Sequence, residues 1–130
     1  MTAFFGIDEH NSEKFFKQGV VCIDNSIEKE AVLFKTFQSI RTEDIVFIKS
    51  FTQAGLKVKA IGVVLSGFPT ENELGVCIPV EWIWKDEKFI EQFGEELAHC
   101  SDTLYEEYNT LVQREIIDLL PARFQLTKEW

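Results

Sequence analysis

The residue types that most often perform chemistry are few in this chain and poorly spaced for it. There are three cysteines, Cys22, Cys77 and Cys100, and two histidines, His10 and His99. His99 adjoins Cys100 while His10 is distant, and no Cys-x-x-Cys or His-x-x-x-His pair seeds a zinc site. A Cys–His nucleophile pair would have to be assembled in space. Cys22 and Cys77 sit in apolar runs, where a thiol acts as a small core hydrophobe rather than a reactive group. Neither the P-loop pattern nor the nucleotide-binding G-x-G-x-x-G occurs. Carboxylates are abundant, but most fall in stretches that read as solvated helix. Glu81, between Val80 and Trp82, reads as the outward position of a strand. The expectation is a protein that is not an enzyme and carries no metal and no cofactor.

Aromatic residues are the better candidates for a site. Trp82 and Trp84 alternate on one strand, and Phe34, Phe47, Phe51 and Phe68 lie near them in the chain. Aromatic faces stack planar bases and methylated groups. A buried indole N–H also needs a polar partner, which favours a partly open position for the two tryptophans.

Charge restricts the partners. The net charge is −9, and unspecific nucleic-acid binding requires Lys and Arg to displace counterions. The segment 35–70 departs from this, with Lys35, Arg41, Lys49, Lys57 and Lys59 against Glu43 and Asp44, a local +3. The odd cysteine count argues against a disulfide framework and for a reducing, cytoplasmic home. No apolar run reaches the roughly 18 residues of a membrane helix. Met1 to Phe5 lacks the basic start of a secretion signal.

The elements that must hold these residues are legible from periodicity. Val20 to Ile23 reads as a buried strand. Asn25 and Glu28 have the spacing of a capping box ahead of a helix from about Ile27 to Phe37. Ile45 to Phe51 reads as a second strand and Leu56 to Ser66 as a third, with Leu56, Val58 and Ala60 on one face and Lys57 and Lys59 on the other. Gly62 marks a bulge or bend in it. Gly75 to Trp84 reads as a fourth strand, with Val76, Ile78, Val80, Trp82 and Trp84 on one face. Pro79 predicts an open edge or a bulge there. Lys85 to Ala98 reads as a helix, and a second, capped by Ser101 or Asp102, carries Leu111, Val112 and Ile116 toward the core. Strands followed by helices give an α+β domain with a small curved sheet or barrel, one early helix and two C-terminal helices.

Three stretches resemble the PUA-like superfamily, which includes EVE and YTH domains and modified-base readers of restriction systems. They are Phe15 to Ile23, similar to the family's opening strand after a Gly; Glu43 to Ser50, where members carry Gly-Asp before the strand; and Val58 to Val64 followed by Val80-Glu81-Trp82. Glu43 stands at the family's Gly, and Asp24 and Asn25 stand where members carry an aromatic residue. The resemblance implies a single domain over 1–130, with a barrel over about 15–84 and a helical segment over about 85–121. It also implies a pocket for a flipped or modified base. By motif position that pocket would be bordered by Ser50 and Phe51, with Trp82 and Trp84 as aromatic walls, Asn25 reading a base edge, and Lys49 or Lys57 contacting phosphate. The expected function is a binding module for a nucleobase-containing ligand, with modified nucleic acid in a restriction or defence setting as the leading partner. The alternative is an acidic protein-interaction or immunity-type module that engages a basic protein through its charge.

Overall fold

A computed structural model of the chain describes residues 2–9, 12–23, 31–52, 55–91 and 103–121. Strand β1 (Phe4–Asp8) lies parallel to β3 (Ile45–Thr52), with Phe4 opposite Ile45 and Asp8 opposite Lys49. Its first four residues are buried because the sheet carries apolar layers on both faces, which removes the usual apolar–polar alternation. Helix α1 (Ser12–Gln18) ends at Gly19, whose φ of 66° is the left-handed stop that favours glycine. Then follow β2 (Val20–Ile23), α2 (Ala31–Gln38), β4 (Gly55–Val64), β5 (Thr70–Asn72), β6 (Gly75–Glu91), β7 (Leu104–Glu106) and α3 (Thr110–Asp118). The strand order is β2-β6-β4-β3-β1-β7, with β5 paired to β6. Among the described strands only β1 and β3 run parallel. The result is the predicted α+β domain, a curled half-barrel sheet that unites all four expected strand segments.

One face of the sheet packs Phe5, Ile7, Val46, Ile48 and Val80 against Phe15 of α1 and Phe37 of α2. The other packs Phe4, Phe47, Leu56 and Ile61 against Val112, Ile116 and Ile117 of α3. Register shifts bend the central strands between these layers. One falls between Ile61 and Gly62, as the sequence predicts. A second falls between Val58 and Ala60, so Leu56 and Val58 join the α3 layer while Ala60 joins the other. The expected uniform alternation of Leu56, Val58 and Ala60 therefore breaks at Lys59. On one edge of β6 the neighbour changes from β5, whose Thr70 lies opposite Cys77, to β4, whose Val64 lies opposite Val80. Pro79 sits at that change of partner.

Several expectations are corrected. Residues 85–91 are strand, not helix: β6 runs for 17 residues because its second half pairs with Gly55 to Ala60. Leu104 lies in β7, and the last helix begins only at Thr110, capped by Asn109 rather than Ser101 or Asp102. The Asn109 Oδ1 accepts from the N–H groups of Leu111 and Val112 at 2.9 and 3.3 Å. Val112 and Ile116 are buried as predicted, but Leu111 is 47% exposed. Cys22 and Cys77 face each other across β2 and β6 with Cα atoms 4.0 Å apart, and their sulfurs are bonded as a disulfide. They are not the free core thiols that an odd cysteine count suggests. The proposed capping box at Asn25 and Glu28 lies outside the described residues.

Candidate functional site

Phe15 and Phe16 are neighbours on α1, so a helical turn of about 100° points them apart. Phe15 enters the core at 3% exposure, which leaves Phe16 half-buried at the rim. Trp82 braces it from behind. The indole Nε1–H donates to the Phe15 carbonyl at 3.1 Å, and the indole meets the Phe16 ring edge-on at 5.1 Å. The Lys85 ammonium stands 5.3 Å from the centre of the Phe16 ring. Phe16 thus forms one wall of an open hollow of about 520 Å³ between α1, β4 and β6.

The rest of that hollow is polar. Glu9 follows β1, and its carboxylate is ion-paired to Lys59 of β4. Ser12 and Glu13 come from the first turn of α1, and Lys85, Asp86 and Glu87 come from β6. Glu87 is ion-paired to Lys57 at 4.0 Å, and the Asp86 carboxylate accepts the Glu87 backbone N–H at 2.9 Å. A smaller concavity of about 200 Å³ lies between α2 and β6, lined by Phe34, Phe37, Pro69, Val76 and Ile78. It offers one polar side chain, Gln38, and Phe68 beside it is 84% exposed. Phe47 is fully buried core. Among the described residues no group of His, Cys, Asp and Glu is arranged to hold a metal ion.

Two groups outside the larger hollow, Glu73 and Tyr108, have shifted pKa values. Backbone hydrogen bonding, then a bond from Gln18 Nε2 at 3.1 Å, hold the Glu73 carboxyl below its ordinary value. A hydrogen bond to Glu106 pushes the Tyr108 phenol above its own.

The residues singled out from the sequence are scattered. Phe51 packs against the α3 layer and Trp82 against the opposite layer, so the two rings lie on different faces of the sheet. Trp84 is also separated from Trp82. The shift at Gly62 places Ile61 opposite Trp84 but Gly62 opposite Trp82, and Trp84 falls on the α3 side. Ser50 lies opposite Lys57, and Lys57 lies opposite Phe89 on β6. Lys49, the expected phosphate contact, is fully buried and paired with Asp8. A lysine at that depth cannot meet a phosphate at the surface. Lys57 is accessible, though bonded to Glu87. Asn25 lies outside the described residues. Sequence reasoning missed Phe16, Glu9 and Lys85. For Phe16 a signal existed, since two adjacent phenylalanines on one short helix cannot both face the core.

No family model matches the chain, and no curated protein does. Among solved structures it is similar to the YTH domain of the Zygosaccharomyces rouxii MRB1 protein, crystallised in complex with N6-methyladenosine RNA. The superposition covers 98% of this chain and 88% of that one, with a TM-score of 0.57 and 15% sequence identity. At that identity the likeness speaks to architecture alone, and the architecture of this chain is YTH-like.

Proposed function

We propose that this protein is a non-catalytic module that binds RNA carrying a modified base, with the base seated against Phe16 in the hollow between α1, β4 and β6. The observation that carries the reading is an accessible aromatic wall, braced by Trp82, beside oriented polar groups in a fold whose neighbour was crystallised with methylated RNA. Stacking on such a wall contributes roughly 1–3 kcal/mol per base. Phosphate contacts contribute little, because Lys49, Lys57 and Lys59 are each paired with a carboxylate. Binding should therefore depend weakly on salt. A restriction or defence role belongs to the same proposal, whereas a cytoplasmic location no longer follows from the cysteines once Cys22 and Cys77 are bonded.

The test is a fluorescence-polarisation screen of short oligoribonucleotides and oligodeoxyribonucleotides, with and without base methylation, at low ionic strength. Saturable binding that favours a modified oligonucleotide supports the reading, and no binding to any of them ends it. One observation favours a second reading. The ion pairs engage Lys49, Lys57 and Lys59, three of the five basic side chains of segment 35–70, in a chain of net charge −9. An acidic module for a basic protein partner fits that balance, and such a module would bind no oligonucleotide in the screen.

A further inference from the structure

The geometry points to a rule of base selection at this hollow: Glu9 is its specificity-determining residue, and it selects bases that carry an exocyclic amine. The inference rests on the RNA-binding reading above and adds the chemical class of the base. Glu9, Glu13, Asp86 and Glu87 all border the hollow. Ionised carboxylates only accept hydrogen bonds. Bare acidity is not what they present, however. Lys59 holds Glu9, Lys57 holds Glu87, and Lys85 lies over Phe16, so three cations stand among the four carboxylates. The site is close to charge balance yet rich in acceptors. A neutral planar ligand with N–H donors on its edge meets both conditions. The lysines in the hollow can serve carbonyl acceptors elsewhere on a base, but a carbonyl set against Glu9 would oppose a carboxylate oxygen and leave both unsatisfied.

Among the four carboxylates Glu9 is the best prepared to read such an edge. It follows the end of β1, and its backbone N–H donates to the Lys49 carbonyl at 3.1 Å, which anchors the residue to β3. Its side chain is fixed by Lys59 yet 47% exposed, so acceptor capacity remains for a ligand. Lys59 is the positioning residue. It occupies the register shift between Val58 and Ala60, the irregularity of β4 that re-aims a side chain. Acidic side chains discriminate among bases in the same chemical way when they accept from the amino group of cytosine.

The experiment compares matched oligoribonucleotides of one length: adenosine against purine riboside, which lacks the amine, and cytidine against uridine. A hydrogen bond to a charged group should make each amine-bearing member bind about tenfold tighter. Glu9→Gln, which keeps size and adds a donor, should bring each pair within about threefold of equality without shifting the denaturation midpoint. Lys59→Met should narrow the gap as well, by freeing Glu9 from its position. Equal binding within each pair by the unmodified protein, or unchanged discrimination in Glu9→Gln, overturns the selection rule while leaving RNA binding intact. No binding to any of these oligonucleotides or to an N6-methyladenosine oligonucleotide overturns both.

Discussion

The ammonium of Lys49 lies 2.5 Å from the carboxylate of Asp8, across the only parallel strand pair among the described residues. The lysine side chain is 1% exposed and the aspartate 39%, so the pair spans the step from core to surface. The Tyr105 ring adds a face 5.2 Å from the same ammonium.

Removing the acid should therefore be worse than removing the base. Asp8→Ala removes the carboxylate that faces a buried ammonium, a lesion of about 3–5 kcal/mol in a fully buried pair. Water reaches Asp8, and the cost here should be about 1–3 kcal/mol. Lys49→Met, similar in shape and without charge, should stay within about 1 kcal/mol of the parent or exceed its stability. Urea denaturation of both variants checks the order. A larger loss for Lys49→Met would show that the lysine's other contacts, the Tyr105 ring among them, outweigh the ion pair.

Phe16 and Trp82 should separate binding from folding. Phe16→Ala should weaken binding of a modified oligonucleotide about tenfold, with a modest change in denaturation midpoint. Trp82→Ala should lower both, because the indole packs on the core and bonds the Phe15 carbonyl. Large-to-small changes of buried aromatics cost about 3–5 kcal/mol, and the half-buried Trp82 should lie at or below the low end. Equal binding by Phe16→Ala and the parent would remove the aromatic wall from the site.

On α3, a buried and an exposed position should behave in opposite ways. Ile116→Ala, at a position with no exposed surface, should cost about 2–5 kcal/mol. Leu111→Ala, at an exposed position, should fall within about 0.5 kcal/mol of the parent. A thermal or chemical melt of the two variants shows whether the helix docks by the face described.

Gly62 is held free of a side chain by its neighbours. A methyl group there would collide with Val80 Cγ1 and approach Trp82 Cε3 to 2.9 Å. Gly62→Ala should destabilise by about 1–3 kcal/mol through overpacking, and near-ultraviolet circular dichroism should report a disturbed Trp82.

Glu43 has a φ of 73°, the left-handed region, at the position where the family resemblance calls for glycine. Its N–H bonds the Val64 carbonyl at 2.8 Å, which holds the strained turn against the end of β4. Glu43→Gly relieves roughly 1 kcal/mol of steric strain and gives back part of it as chain entropy. The denaturation midpoint should therefore hold or rise slightly, and a clear fall would mean that the carboxylate has a role of its own.

The sequence speaks most clearly where local chemistry decides. Val20 to Ile23 and Ile45 to Phe51 are short apolar runs with few alternatives to strand, and Gly62 announces the shift that bends β4. Residues 85–91 mislead because Phe89 and Ile90 fit a helical stripe, while the deciding interaction, pairing with residues 55–60, is remote in the chain. Phe4 to Asp8 shows no alternation because both of its faces are covered. The site suffers from the same cause. Trp82 and Trp84 share a face only if β6 pairs without interruption, and the shift opposite Gly62 turns them apart. Phe16, Lys59 and Lys85 come from three elements and Glu9 from the bend after β1, and nothing in their spacing announces that they meet.

β6 is the shared partner of β2, β4 and β5, and it arrives late in the order of synthesis. While the ribosome is still translating residues before Gly75, β2 has no strand to lie against. The β3–β4 pair, contiguous in sequence, can form at once. The nascent domain must therefore carry Val20 to Ile23 as an uncommitted apolar segment until Val76 to Pro79 are made, and exposure of this kind is what chaperones bind. Closure of the sheet, and with it the appearance of the Phe16 hollow, waits on delivery of one 17-residue strand.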